Sequence, residues 1–397
     1  MYTVLLQREV RSVKTALGMI VRSISSDIEL MGFVENAEKY GHKLDCVIVA
    51  YSNTHDPQVE YNLKQKVPYY AVNINNPYFC KEQMLQRGLS ASTVEMLLKC
   101  PIDIKNGLVP YGYNRMIVVM EAILRGIDTL FFVDSDVYPR VIKKNNDGYM
   151  LEEVDFFGAH LEHLNSGSQV TTGEYSGYNI LPVASFEGMN DLLIGVQKAE
   201  MKEYWETSET HRCLVVQPDN NEAKPCKKVL GGNMAIKLST FAELPPFFSS
   251  HYMLDDIVYL CRGEDTMLGM EIAQGGITCT DIGLHMLHDT YKDYPAEPNL
   301  LDDKLAQERF YYACTGWVGR NPLFNHILGN DIKETRDYQR KHLETGLKGL
   351  SSYTGNPVFN DVMRNFDVSW NSIDRYIDEF NRTSDAWNKF KEGVELK

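Results

Sequence analysis

The chain is short of several things that would place it in a familiar class. It has no Cys-x-x-Cys pair, and its eight cysteines, at 46, 80, 100, 213, 226, 261, 279 and 314, share no short repeated spacing. In a chain of 397 residues they read as reduced, mostly buried thiols rather than a disulfide framework. No apolar run reaches the length of a membrane span, and Met1–Glu9 has neither a long apolar core nor a cleavage signal. A cytoplasmic protein without a transmembrane segment is therefore expected. Positive charge is also scarce. Lys and Arg number 40 against 54 Asp and Glu, a net charge of −14, which argues against nucleic acid or an anionic membrane as partner. Repeats and low-complexity segments are absent, and with 44% apolar and 24% charged residues the chain has an ordinary globular composition.

That acidity poses a problem for any phosphorylated substrate, because an acidic protein needs a cation to hold a diphosphate. A divalent metal would answer it, although a generic acidic surface carries the same net charge.

The length allows one large α/β domain with an extension, or two domains. Short apolar runs alternate with amphipathic stretches over the first 135 or so residues. Gly18–Arg22, Cys46–Tyr51, Tyr69–Ile74 and Thr129–Val133 read as strands, while Asp27–Tyr40 and Arg115–Arg125 read as helices. Strands separated by helices imply right-handed crossovers and a mostly parallel sheet, with ligands gathered beyond the carboxyl ends of its strands. The stretch from about 150 to 230 is less regular, polar and tyrosine-rich, which suits strands and loops on an acceptor side. From about 300 the pattern turns helical, over Leu301–Cys314, Ile332–Leu343 and Ile373–Phe390, with Gly, Asn and Pro turns between.

The sharpest chemical signal is Phe131-Phe132-Val133-Asp134-Ser135-Asp136-Val137-Tyr138-Pro139. A hydrophobic strand ends and delivers two carboxylates two residues apart, which an extended backbone sends to one side. Such a pair makes an oxygen site for Mn²⁺ or Mg²⁺ with positions left open for diphosphate oxygens. A nucleoside diphosphate leaving group gains negative charge as its bond breaks, and a cation stabilises it. Taken alone, the same pair also fits two surface turn aspartates.

Other motifs stand around it in order. Tyr113-Asn114-Arg115 opens the apolar helix before the acidic strand. Val229-Leu230-Gly231-Gly232-Asn233 follows, then Arg262-Gly263-Glu264-Asp265, and finally His285-Met286-Leu287-His288 with Glu297-Pro298-Asn299 beyond. This succession, over roughly residues 15 to 297, resembles glycosyltransferases of the GT-A fold. The β-1,4-galactosyltransferases and the large inverting family that includes polysaccharide synthases come nearest.

The resemblance implies a GT-A, Rossmann-like α/β domain over 1–297, with a donor half at about 15–140 and an acceptor half at about 141–297. A helical extension over 298–397 would cap the acceptor site or form a homo-oligomer. It implies transfer of a sugar from a nucleotide-sugar donor, UDP or GDP type, to a carbohydrate or other hydroxyl acceptor. Asp136 would ligate the metal, Asp134 would lie by the donor's ribose or sugar, and His288 would complete the metal shell. His285, where the galactosyltransferases place another ligand, is either a second ligand or a core histidine. Asp265 would serve as the base for the acceptor hydroxyl and Glu264 would orient that acceptor; as residues, the two also read as an acid pair favoured by a helix start. Gly231 and Gly232 would let backbone approach substrate, or form a tight turn. Asn233 would face a sugar, Asn114 and Arg115 the donor, and Tyr51 the base, in place of the acidic residue usual in the polysaccharide-synthase relatives.

Three rival readings share parts of this pattern. A haloacid-dehalogenase-type phosphatase also uses D-x-D, with Asp255-Asp256 as its later acidic pair, but it places D-x-D on its first strand. A sugar-1-phosphate nucleotidyltransferase needs a Gly-rich basic loop, which Ser23–Asp27 is not. A non-catalytic carbohydrate-binding protein would suit 23 tyrosines but would not require both acid pairs.

Overall fold

The structure, a computed structural model, describes residues 13–102, 108–181, 184–201, 214–220 and 222–396. Met1–Glu9 and Cys213 lie outside the described residues. The first half runs β1 (Thr15–Val21), α1 (Ile28–Lys39), β2 (Cys46–Tyr51), α2 (Pro57–Lys64), β3 (Tyr69–Asn73), α3 (Tyr78–Gln86), α4 (Ala91–Leu98), α5 (Tyr111–Leu124) and β4 (Thr129–Asp134). It continues through β5 (Val137–Asn145), β6 (Gly148–Glu153), α6 (Phe156–Asn165), β7 (Val170–Tyr178), α7 (Met189–Gly195), β8 (Leu214–Val215), β9 (Lys224–Pro225), β10 (Asn233–Lys237), β11 (His251–Leu254) and β12 (Ile257–Leu260). Then come α8 (Glu264–Gly275), β13 (Cys279–His288), α9 (Lys304–Ile327), α10 (Ile332–Thr354), α11 (Val362–Asn371) and α12 (Ile373–Gly393).

The expected α/β fold is present, as one mixed sheet in the order β3-β2-β1-β4-β10-β7-β13-β5-β6. β3, β2, β1 and β4 are parallel neighbours; β10 runs against β4 and β7, and β7 is parallel to β13. Six strands therefore point the same way, which brings the ends of β2, β4, β7 and β13 to one edge.

The central strands are apolar on both faces because helices cover both. Ile20, Ile48, Leu130 and Phe132 face α5 in one cluster, while Met19, Val49, Phe131 and Val133 face α1 and α6 in the other. At Gly18 a Cβ would stand 2.8 Å from Val118 Cγ1, so α5 lies closer to the sheet than a side chain would allow. The stretch from about 150 to 230 is more ordered than expected, containing the helix α6 and the nine-residue strand β7. The apolar residues there do not report burial uniformly: Phe156 and Phe157 of α6 are buried, whereas Tyr149, Met150 and Leu151 of β6 just before are exposed.

The carboxy-terminal helices share cores with the sheet region. Trp387 and Phe390 join the cluster around α5, and Trp387 Nε1 donates to Leu244 O at 3.2 Å. The turn expected after Cys314 is absent: α9 continues through Gly316, Gly319 and Pro322 to Ile327. Proline removes the donor to the carbonyl four residues back, normally breaking a helix. Here Ser369 Oγ, from α11, lies within 3.2 Å of Val318 O and 2.8 Å of Gly319 O and supplies a replacement donor. No helix among the described residues is long and apolar enough to cross a membrane.

Candidate active site

The D-x-D segment leaves β4 at Asp134, turns through Ser135 and Asp136, and re-enters the sheet as β5. The two aspartates are consequently not two positions of one extended strand, as the spacing suggested. They take different partners. Asp136 lies against the end of β13, where its carbonyl accepts from Asp289 N at 2.8 Å and its Oδ1 is 3.2 Å from His288 Nε2. Asp134 instead accepts from Arg115 Nη2 at 2.7 Å.

Arg115 is the hub. Its guanidinium, almost fully buried on α5, donates through Nε to Glu264 at 2.9 Å, through Nη1 to Gly231 O at 2.8 Å, and through Nη2 to Asp134. Burial would push it down, but Asp134, Glu264 and Asp265 outweigh that and raise it above the usual arginine range. Three segments distant in sequence are thereby held as one body. The glycines are required by this closeness: a Cβ on Gly231 would stand 2.5 Å from Arg115 Nη2, and one on Gly232 2.5 Å from Asp134 Oδ2 and Tyr175 Oη. Gly232 N–H donates to Tyr175 Oη at 2.8 Å.

Glu264 and Asp265 open α8 behind Gly263, whose φ of +92° suits glycine. Burial, and then Asp265 beside it, raise the Glu264 carboxyl against the pull of Arg115. Asp265 accepts from Gly231 N–H through Oδ2 at 3.0 Å and from Thr266 N–H through Oδ1 at 2.6 Å. Each oxygen keeps a further acceptor position.

Around Asp136 and His288 the shifts are mutual. Burial alone would raise the Asp136 carboxyl, and His288, with Lys292 and Arg309 further off, brings it below the usual range. Burial would lower the His288 imidazole, and Asp136 followed by Asp134 raises it. The Tyr175 ring covers the imidazole, with centroids 4.5 Å apart. A carboxylate oxygen and an imidazole nitrogen converging at strand ends are a fitting donor pair for Mn²⁺ or Mg²⁺. Among the described residues no group of three such ligands converges, so a cation here would take most of its shell from substrate and water.

Three other expected residues stand differently, while Tyr51 keeps its place at the sheet edge. His285 is not brought to this pair: burial lowers its imidazole, and the charges acting on it are Glu174, Asp281, Lys228 and Lys224. Its backbone N–H donates to Gln217, and its Nδ1 is buried without a partner. Asn233 does not face a sugar. Its amide donates to Glu174 O at 2.8 Å and Leu284 O at 2.9 Å, across the register shift between β7 and β13, and its Oδ1 is 3.2 Å from His160 Nε2. Since that oxygen only accepts, His160 carries its proton on Nε2, and burial lowers the ring to about 3, keeping it neutral. Asn114 is fully buried with neither amide atom partnered. Tyr51 ends β2 on the same sheet edge, its ring tilted against His55 at 5.4 Å.

Asp255 and Asp256 form the two-residue turn between β11 and β12, both with positive φ, and Asp255 pairs with Arg364. They belong to a hairpin tip, which removes the acidic pair that the phosphatase reading needed. Sequence reasoning missed Tyr175, whose polar contacts join β7 to the glycine loop, and Arg320 of α9. Neither sits in a local motif.

No protein-family model matches the chain, and no curated protein matches it. Among solved structures it is similar to glucosyl-3-phosphoglycerate synthase from Mycobacterium tuberculosis in complex with Mn²⁺, UDP and phosphoglyceric acid. That pair is 12% identical with a TM-score of 0.41, and 80% of each chain is covered. The same enzyme with Mn²⁺ and UDP-glucose gives 12% identity, a TM-score of 0.40 and 80% coverage of each chain. With phosphoglyceric acid alone the values are 11%, 0.39, 80% of this chain and 81% of the other. Likenesses this distant assign no chemistry, and the function is argued from this chain's own residues.

Proposed function

We propose that the protein is a metal-dependent glycosyltransferase of the GT-A type, moving a sugar from a nucleoside diphosphate donor to a hydroxyl acceptor. The observation that carries this reading is the Arg115 hub. One guanidinium fixes Asp134, the Gly231 backbone and Glu264 beside the Asp136–His288 pair, at the carboxyl edge where a sheet of this kind holds ligands. Residues 1–297 would carry the reaction, and the helices of 298–397 would complete its acceptor side.

Asp136 and His288 would hold Mn²⁺ or Mg²⁺, which when bound neutralises charge on the departing diphosphate. Asp134, with Oδ1 held by Arg115, keeps Oδ2 beside Gly232 to orient a donor hydroxyl. Asp265 takes the acceptor proton as the new C–O bond forms, its geometry fixed by the Gly231 and Thr266 amides. Glu264, occupied by Arg115, keeps that guanidinium in place. The donor would be a UDP or GDP sugar reading its base near Tyr51, and the acceptor a carbohydrate or other alcohol.

The test separates the two acidic sites. Thermal-shift screening of UDP and GDP sugars with and without Mn²⁺ should show metal-dependent stabilisation that Asp136→Asn abolishes. Asp265→Asn should retain donor affinity and lose roughly 10²- to 10⁴-fold in turnover, the usual worth of a positioned base. Nucleotide affinity unchanged in EDTA would sink the metal assignment.

A further inference from the structure

Arg320 is a buried cation without an ionic partner among the described residues. It lies on α9, 5% exposed, yet it donates no hydrogen bond and makes no ion pair with any described residue, and its Nε is buried without a partner. Its surroundings were shaped to admit it. A Cβ on Gly263 would stand 2.4 Å from Arg320 Nη1, and one on Gly316 would stand 2.4 Å from Arg262 Cγ. Both arginines therefore press against glycines where α8 begins beside α9. Arg262 is further pinned by its N–H, which donates to Gly316 O at 3.1 Å.

Lys198 completes the group. Its Nζ lies 5.8 Å from the Trp317 ring, one turn before Arg320 on α9. Burial, then the charge of Arg320, lowers this ammonium to about 8, and burial lowers Arg320 to about 10. The nearby acids offset the group only in part. Glu264 is engaged by Arg115, Asp265 acts on both Arg320 and Lys198 without an ion pair to either, and Glu200 is a largely exposed partner of Lys198. A small, mostly apolar cavity, walled by Phe248, Met267 and Phe324 and reached by Arg262, Arg320 and Ser250, adjoins them, and Ser250 Oγ is a second buried atom with no partner. A water there would accept from Nε–H but bring no charge. The guanidinium lies over the Phe324 ring, Cζ 4.9 Å from its centroid, but a ring face leaves the buried Nε–H without an acceptor. A buried cation with a donor unmet is costly unless an anion arrives to meet it.

We propose that Arg320, with Lys198 and Arg262, forms an anion-recognition site beside Asp265. Resting on the transferase reading, this makes the acceptor an acidic molecule, held by a phosphate or carboxylate while Asp265 faces its hydroxyl. Guanidinium groups suit both anions through paired N–H donors.

The experiment titrates inorganic phosphate and, separately, succinate into the full chain by calorimetry in EDTA, which removes any metal-held phosphate. Wild type should bind at least one of the two, and whichever binds tighter names the acidic group. Arg320→Gln should weaken that binding tenfold or more, Arg320→Lys should recover part of it, and Lys198→Gln should weaken it independently. Circular dichroism and the melting temperature verify that each variant is folded. No binding to wild type, or equal binding to wild type and Arg320→Gln, overturns the site. Metal-dependent nucleotide binding is read in a separate titration. If that fails while Arg320-dependent anion binding persists, the transferase reading falls and the anion site stands. With nucleotide binding intact, transfer to glucose 6-phosphate or glucuronate should exceed transfer to glucose in wild type, and Arg320→Gln should raise KM for the acidic acceptor with kcat little changed. Equal transfer to all three would overturn the acidic acceptor.

Discussion

Two buried arginines stand on either side of Glu264 and Asp265, and they have opposite surroundings. Arg115 donates to two carboxylates and a carbonyl, and the acids around it raise its affinity for the proton. Arg320 donates to no described residue, its guanidinium lying over the Phe324 ring, and burial lowers it to about 10. The first is an internal strut whose charge is neutralised by the fold. The second carries charge that Asp265, Glu200 and Glu264 offset only in part. A buried cation that protein groups satisfy serves architecture, whereas one left unmet points to something outside the chain.

The comparison breaks most sharply at Arg115. Arg115→Gln leaves Glu264 buried without its cation and should cost about 3–5 kcal/mol of unfolding free energy, the range for breaking a buried pair from one side. Urea unfolding measures this directly. A loss below about 1 kcal/mol would mean the hub is not a strut, and the contrast with Arg320 would dissolve.

Asn233 extends the strut side. Its amide closes the gap where β7 and β13 slip in register. Asn233→Leu should cost roughly 2–3 kcal/mol, since two carbonyls and His160 lose their partner. Nucleotide affinity, measured where the variant is folded, should hardly change. A large affinity loss without a stability loss would return Asn233 to the substrate.

These two cases also mark what was legible in the sequence. The strand ending at Asp134 was readable because Thr129–Val133 is buried on both sides and so is continuously apolar. Its place next to Arg115 and Glu264 depended on motif order, and the structure brings those residues together. The helix begins at Tyr111, two residues before the Tyr113-Asn114-Arg115 segment read as its opening, because Pro110 is its cap and Gly112 lies within it. That glycine is demanded by the backbone of Phe248 and Ser249, 2.5 Å from where a Cβ would be. Asn233 read as a substrate residue because Gly-Gly-Asn looks like a ligand loop, while its partners come from β7, β13 and α6. The continuity of α9 through Pro322 depends on Ser369, and Arg320 on glycines 263 and 316. Such contacts join segments that no local pattern links.

Arg320 is expected to behave opposite to Arg115. Arg320→Met keeps the hydrophobic stem and removes an unmet charge, so stability in plain buffer should rise by roughly 1–2 kcal/mol. With 50 mM phosphate the gap between wild type and variant should narrow, because the anion stabilises only the protein that binds it. A destabilised Arg320→Met, unaltered by phosphate, would make Arg320 a second strut.

The smallest effect, and the most specific to the Arg320 side, is the pH dependence contributed by Lys198. Its folded-state value is about 8 against an ordinary 10.5. Below about pH 8 folded and unfolded chains both carry the charge, and the folded one bears the full penalty from burial and from Arg320, with Glu200 and Asp265 only partly relieving it. Between the two values the unfolded chain still binds the proton that the folded chain has released. Stability from this group therefore rises with pH across that window, by at most about 1.4 kcal/mol per unit. Lys198→Met removes the contribution, so wild type should gain on the variant as pH climbs from 8 to 9.5 in matched urea titrations. Phosphate should flatten the gain, since an anion at the site favours the charged ammonium and moves its titration upward. Parallel curves for the two proteins would show that Lys198 does not share the field of Arg320, and the cluster would shrink to its two arginines.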